Sequence, residues 1–349
     1  MPGAVQGLDW PESLAGVYTG RPSGVGWPFL SALPERTTIV SQTPSNSGES
    51  PLVREALSSV VSRETAGAAP AQGLTVGYAS RTEGDWPRPP RTRVMTIANQ
   101  KGGVGKTTSA VNLAAALSMH GQRVLVVDLD PQGNASTALA TEHRGDVPSV
   151  YQVLVDDLPL ADIVKEVPDM PGLYCAPATI ALAGAEIELV SLVAREARLS
   201  RALKAFDGVE LDYIFVDCPP SLGLLTVNAL CAGEEVLIPI QCEYYALEGL
   251  TMLLENVELV KAHLNPKLAV STILLTMYDG RTRLASQVAE EVRTHFGSTV
   301  LDSVIPRSVR VSEAPSYEQS VITYDPGSSG AMAYIEAARE IAYRGAAVA

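Results

Sequence analysis

The sequence predicts an α/β fold, a mostly parallel sheet flanked by helices and preceded by a largely disordered N-terminal tail. Three observations predict it. From residue 93 onward, apolar runs alternate with helix-patterned stretches, as expected of parallel strands covered on both faces. A glycine-rich loop separates the first apolar run from the first helical stretch, and two later apolar runs end in aspartate. Residues 1–92 show neither pattern. They hold 11 prolines, 11 glycines and no lysine, a composition that discourages regular structure.

The first strand is expected at 93–98, around Val94-Met95-Thr96-Ile97-Ala98, and the first helix at 106–119. Between them stands Lys101-Gly102-Gly103-Val104-Gly105-Lys106-Thr107-Thr108. Strand, glycine loop and helix form the context that a phosphate-binding loop needs. Glycines let the backbone curl so that several N–H groups face one anion, and the helix N-terminus adds partial positive charge. Lys106 then reaches the β- and γ-phosphates and Thr107 holds Mg²⁺. The strict spacing G-x-x-x-x-G-K-[ST] requires a glycine where Gln100 stands, and a second lysine, Lys101, sits at the loop entrance.

The second strand, 123–128, ends in Asp128-Leu129-Asp130-Pro131-Gln132-Gly133-Asn134. Ligands of a doubly wound sheet sit beyond the carboxyl ends of its strands. A carboxylate there can orient an attacking water. Asp128 is placed as a support near Mg²⁺. Helices are expected at 133–141 and 149–154, a strand at 172–176 and one helix over 185–206. The strand at 212–217, Tyr213-Ile214-Phe215-Val216-Asp217, is four apolar residues and then an acid, the Walker B pattern that delivers one carboxylate to the Mg²⁺ shell. A helix at 222–231 and a strand at 234–240 follow. Glu243 and Glu248 flank the start of a helix at 247–264 and read as favourable charges at its N-terminus, with no catalytic role. Strands at 269–276 and 300–305 and helices at 284–296 and 329–344 complete the pattern.

K-G-G-V-G-K-T-T resembles the deviant Walker A loop of the ParA/Soj/MinD group of P-loop ATPases. The resemblance implies ATP and an ATP-sandwich homodimer in which Lys101 touches the partner subunit's phosphates. D-L-D-P-Q-G-N is similar to the second nucleotide motif of that family and implies that Asp130 positions the water. Asp217-Cys218-Pro219-Pro220 resembles the family's D-x-P-P string. Leu274-Leu275-Thr276-Met277-Tyr278-Asp279-Gly280-Arg281-Thr282 is similar to its L-T-M-x-D-x-R-T segment. Val304-Ile305-Pro306-Arg307-Ser308-Val309-Arg310-Val311-Ser312-Glu313-Ala314-Pro315-Ser316 is close to the string that separates chromosomal ParA/Soj proteins from MinD. It implies Pro306 and Arg307 at the adenine, and Arg310 and Arg281 on a DNA face, with Arg283 a further candidate. The implied function is an ATP-dependent switch that binds double-stranded DNA non-specifically and acts in segregation with a ParB-like centromere-binding partner, in the cytoplasm on the nucleoid. The alternative is a MinD-like membrane-associated positioning ATPase. MinD-like chains end in a basic amphipathic helix, whereas the stretch from Tyr334 to Ala349 is balanced in charge and lacks lysine.

Composition bounds these readings. At 349 residues and 46% hydrophobic content the chain can bury a large core, and its net charge is −13. Such a chain does not bind DNA by bulk attraction, so a DNA role must rest on a local patch. From Arg281 to Arg310 there are five arginines against three acids, Glu290, Glu291 and Asp302. No stretch is apolar and long enough to cross a bilayer, and no secretory leader is visible. Cys175, Cys218, Cys231 and Cys242 form no C-x-x-C pair and read as reduced core residues. The three tryptophans, Trp10, Trp27 and Trp86, all precede residue 93. They suit either short docking motifs for a partner protein or a tail that packs lightly on its own domain.

Overall fold

Among the described residues, eight strands form one sheet in the order β3-β4-β2-β5-β1-β6-β7-β8. The computed structural model describes residues 85–243 and 246–346. The expected disorder of the tail, its tryptophans Trp10 and Trp27, and the side chain of Glu248 lie outside the described residues. The strands are β1 Arg93–Ile97, β2 Val124–Asp128, β3 Lys165–Glu166, β4 Leu173–Ala176, β5 Tyr213–Asp217, β6 Glu235–Gln241, β7 Ala269–Tyr278 and β8 Val300–Pro306. All pairings are parallel except β3 with β4. The central strands are apolar throughout because both faces are covered: every residue of β2 and β5 is buried, including the aspartate that ends each.

The crossovers set the layers. From β1 the chain moves past β5 to β2, and from β5 it moves past β1 to β6. Right-handed crossovers in opposite directions place their helices on opposite faces. Helix α1, Lys106–Met119, therefore covers one face, and α6, Leu224–Ala232, covers the other. Residues Ala110–Leu117 of α1 are all buried, because the C-terminal helix α11, Ser329–Ala346, packs on top of it. Ser109 and Tyr334 hydroxyls meet at 3.3 Å across that contact, and the Val321 N–H donates to Asn112 Oδ1 at 2.7 Å. Tyr334, Ala337, Ala338, Ile341 and Ala342 of α11 are buried, so the helix expected to pack does so.

Most elements fall where the sequence places them, and the exceptions have physical causes. The single helix expected at 185–206 is two helices, α4 Leu182–Glu188 and α5 Arg198–Lys204, separated by short 3₁₀ turns. Ala194 adopts φ 52°, which breaks the helix. The broken ends are satisfied from another element: Asn228 of α6 donates to Arg195 O at 2.8 Å and accepts from Leu199 N–H at 3.2 Å. The helix expected at 133–141 is the shorter α2, Asn134–Ala138, and α3, Val150–Val155, starts from a Ser149–Gln152 capping box. The remaining helices are α7 Ala246–His263, α8 Arg283–Phe296, α9 Val309–Glu313 and α10 Val321–Tyr324. The sequence pattern shows neither α9 nor α10 nor the two-residue β3, all too short for a period to register. Trp86 is buried and stacks on His120 with ring centroids 3.8 Å apart. Of the two readings of the tryptophans, this one packs on its own domain.

Candidate nucleotide-binding site

Parallel strands deliver their carboxyl ends to one rim, and the loops leaving that rim carry the candidate residues. The loop between β1 and α1 is built on positive φ: Gly103 at 75° and Gly105 at 91°. Gly105 immediately precedes α1, and a side chain there would be strained in this backbone region. Strand β7 holds the loop from beside it, Thr276 Oγ1 donating to Val104 O at 2.8 Å. Asn99 braces the entrance. Its Oδ1 accepts from Lys101 N–H at 3.0 Å and its Nδ2 donates to Pro239 O at 2.8 Å. Lys106 is buried, and its ammonium donates to Lys101 O at 3.3 Å, spanning the loop. Burial lowers the Lys106 pKa, and the nearby Asp217 carboxylate opposes the shift most.

Lys101 makes an ion pair with the Glu243 carboxylate, from the loop that leaves β6. Glu243 therefore holds the second lysine of the loop within the same chain. Sequence reading did not connect the two; the only signal was an acid just past an apolar run.

Two aspartates lie side by side beneath the loop. Asp128 and Asp217 are in register on β2 and β5, and both are fully buried. Their surroundings differ. Asp128 Oδ2 accepts from Ser136 N–H at 2.9 Å and from the Ser136 hydroxyl at 2.7 Å, and its Oδ1 accepts from Asp130 N–H at 3.1 Å. It pins the turn that carries Asp130. Burial pushes Asp128 up to about 6 against the hold of those donors. Asp217 has no hydrogen-bond partner on either oxygen. Burial and then the Asp128 charge push it well above the ordinary carboxylate range, while the nearby Thr107 hydroxyl and Lys106 ammonium offset part of the rise. Asp130 is half-buried at the turn, and its Oδ1 accepts from Gln132 N–H at 3.0 Å.

A buried, unpartnered carboxylate beside a threonine hydroxyl suits a hard cation. Among the described residues no three His, Cys, Asp or Glu side chains gather into a metal cluster. Mg²⁺ does not require one, because it keeps several waters and takes phosphate oxygens. Thr107 and Asp217 are the residues that fit it, and Asp128 contributes from behind, through the turn it pins.

The other candidates lie along the same rim and beyond it. Pro306 ends β8, and Arg307 N–H donates to Tyr278 O at 3.1 Å, tying the exits of β8 and β7. A cleft of about 240 Å³ opens beside Thr107 and Thr108 and is closed by Asn112, Thr137, Pro315 and Gln319; Pro306 and Arg307 do not line it. Arg281 is highly exposed and grips Asp279 with two bonds of 2.8 Å, drawing that carboxyl down to about 2. Arg310 pairs with Glu313 at 3.0 Å and Asp325 at 3.3 Å, and Arg283 is exposed at the start of α8. Both arginines expected on a DNA face are solvent-facing and already tied to acids.

A family model described as an AAA domain matches residues 92–270. The sporulation initiation inhibitor protein Soj of Bacillus subtilis is 54% identical over 253 residues, 72% of this chain and 99% of that protein. The chromosome partitioning protein ParA of Caulobacter vibrioides is 49% identical over 253 residues, 72% of this chain and 94% of that protein. Among solved structures, cobyrinic acid a,c-diamide synthase from Mycobacterium smegmatis, with bound ATP analogue and magnesium, is similar with a TM-score of 0.62. It is 39% identical over 71% of this chain and 93% of that one.

Proposed function

Because this chain belongs to the Soj/ParA family of chromosome-partitioning ATPases, we propose that it works as an ATP-driven pairing switch. Two copies pair around ATP, hold double-stranded DNA without sequence preference, and separate when a ParB-like centromere-binding partner stimulates hydrolysis. The reading places the protein in the cytoplasm, on the nucleoid. The observation that supports it most is the buried Asp217 carboxylate, left without a partner beside Thr107 and beneath a loop whose lysine is already buried.

The residues divide the work. Backbone N–H groups from Gly102 to Thr108 receive the phosphates, with Val104 held by Thr276. Lys106 exchanges the Lys101 carbonyl for the β- and γ-phosphates. Thr107 and Asp217 hold Mg²⁺, which when bound neutralises phosphate charge. Asp130 orients the attacking water, and because Asp128 and Ser136 fix its turn, the carboxylate that does so stands on a held backbone. Lys101 leaves Glu243 for the partner subunit's triphosphate. Pro306 and Arg307 flank the base. Arg281 and Arg310 divide their N–H donors between their acids and DNA phosphates, and pairing doubles their number. The C-terminal helix α11 has its apolar face in the core, which favours DNA over a membrane surface.

The test is DNA retention by the purified protein with ATP, with ADP and across a salt series, alongside phosphate release by Asp130→Ala. Retention with ATP only, falling steeply with salt, together with an Asp130→Ala variant that still binds DNA and no longer turns over, is the expected outcome. Equal retention with ADP sinks the switch, and parental turnover by Asp130→Ala sinks its water-positioning role. ATP-dependent pelleting with anionic liposomes instead of DNA would move the assignment to a membrane-positioning ATPase.

A further inference from the structure

The segment that leaves β4 exposes an apolar face that nothing among the described residues covers. Ile180 is 73% exposed, Ile187 79%, Val190 58% and Val193 87%. Between them Leu182, Ala185 and Leu189 are fully buried. Helix α4 and its following turn are thus fastened to the core by one apolar side and show solvent another. Isolated exposed apolar residues need no explanation, but four large ones within fourteen positions do.

The location of this face decides what it suits. Its base is tied to the Asp130 turn, since Ala178 N–H donates to Ser136 Oγ at 3.1 Å and the same hydroxyl donates to Asp128. Its middle abuts the other carboxylate loop, where the Glu186 carboxylate fills the space a side chain at Gly223 would need. The face therefore lies on the nucleotide rim, beside the loops that carry Asp130 and follow Asp217. Lys101 belongs to the same rim.

We propose that Ile180, Ile187, Val190 and Val193 form the apolar body of the contact with a second copy of this chain. This rests on the pairing reading above and adds the surface that makes the contact. A closed pair is isologous, so one patch serves both copies. A chain of net charge −13 repels its own copy through charged faces, and here the two acids flanking Ile187 are turned to their own chain, Glu188 accepting from the Tyr151 hydroxyl at 2.8 Å and Glu186 lying against Gly223, which leaves the apolar side chains to meet a partner. Size points the same way. Four side chains cover on the order of a few hundred Å², below the roughly 800 Å² per partner of a stable interface. The patch alone does not hold two copies together, and the nucleotide with Lys101 completes the contact. Pairing then depends on ATP because the apolar face is undersized.

The experiment is sedimentation with a non-hydrolysable ATP analogue and Mg²⁺, comparing the parent with Ile187→Asp, Val193→Asp and the conservative Ile187→Leu. Binding of a fluorescent ATP analogue at concentrations where the parent is monomeric runs in parallel. All four positions face solvent, so the variants are expected to fold and to bind nucleotide as the parent does. The aspartate variants should pair at least tenfold more weakly, and Ile187→Leu should pair as the parent does. Parental pairing by both aspartate variants overturns the assignment while leaving the pairing reading intact. A parent that stays monomeric when saturated overturns that reading and this one with it. Aspartate variants that pair normally but escape stimulation by a ParB-like partner give the face to that partner, and the inference is wrong.

Discussion

Lowering the pH should stabilise the nucleotide-free protein, the reverse of ordinary acid denaturation. Asp128 and Asp217 are buried side by side, both pushed upward by burial. A carboxyl whose folded-state pKa lies above its unfolded value binds its proton more tightly when folded. Its penalty is therefore present in full above the folded pKa and is relieved as pH falls towards the unfolded value. For Asp128, raised from 3.8 to about 6, the penalty at neutral pH is about 3 kcal/mol at roughly 1.4 kcal/mol per unit. About half of it is relieved by pH 5. Asp217 adds to the effect in the same direction. Asp279, drawn down to about 2, acts oppositely only below the ordinary carboxylate range and does not enter this window. The assay is urea unfolding of nucleotide-free protein at pH 7.5, 6 and 5, for the parent and for Asp217→Asn. The variant removes one acid of the buried pair and with it the raised titration of both, so it should unfold at higher urea than the parent at pH 7.5 and show a shallower pH profile. Saturation with Mg²⁺ and a non-hydrolysable ATP analogue should flatten the parent profile, because a cation beside Asp217 keeps that carboxylate ionised. If parent and variant respond identically to pH, or the parent weakens from pH 7.5 to 5 more than the variant does, the reasoning about the buried pair fails.

Three further outcomes test the loop, its lysine and the DNA face. Gly105→Ala forces a side chain onto φ 91° at the start of α1. It should destabilise the protein by about 1–2 kcal/mol and weaken nucleotide binding at least tenfold, read by urea unfolding and fluorescent-nucleotide titration; parental affinity would show that the loop does not need this backbone. Glu243→Gln frees Lys101 in each copy. Half-exposed ion pairs contribute about 0.2–1 kcal/mol each, so ATP-dependent pairing should tighten between about twofold and thirtyfold by sedimentation, and unchanged or weaker pairing would mean that Glu243 positions Lys101 rather than competes for it. Arg310→Ala should lower the slope of log affinity for DNA against log salt by about one for each phosphate that the side chain neutralises, with ATP binding unchanged; an unaltered slope removes Arg310 from the DNA face.

What the sequence shows and what it hides follow one physical division. Strands β1, β2, β5 and β6 are legible because burial on both faces demands unbroken apolar runs, and α1 is legible because a glycine loop announces its start. The candidate nucleotide residues sit on or just beyond those same elements, so Lys106, Thr107, Asp128, Asp130 and Asp217 converge on one rim. Contacts made between distant segments leave no local trace. The break between α4 and α5 is held by Asn228 from another helix, and the apolar spacing of 185–206 continues straight through it. The Lys101–Glu243 pair joins residues far apart in sequence. Ser136, which fixes the Asp130 turn through Asp128, looks like any serine near a helix start.

The two buried aspartates show how identical chemistry is given different roles by what comes next in the chain. After Asp128 the backbone turns back, so that Asp130 N–H and both donors of Ser136 reach the carboxylate. After Asp217 no such donors exist. The Cys218 N–H is committed to Ile97 O at 3.2 Å, and Pro219 and Pro220 have no N–H to offer. The dipeptide of prolines thus denies Asp217 the backbone bonds that would otherwise satisfy it. A carboxylate so placed, fully buried and without donors, has oxygens open to a cation. Asp128, with its lone pairs engaged, is left to hold the turn. The difference between the two aspartates, one with open oxygens and one with its oxygens engaged, is therefore written in the residues that follow each, rather than in the aspartates themselves.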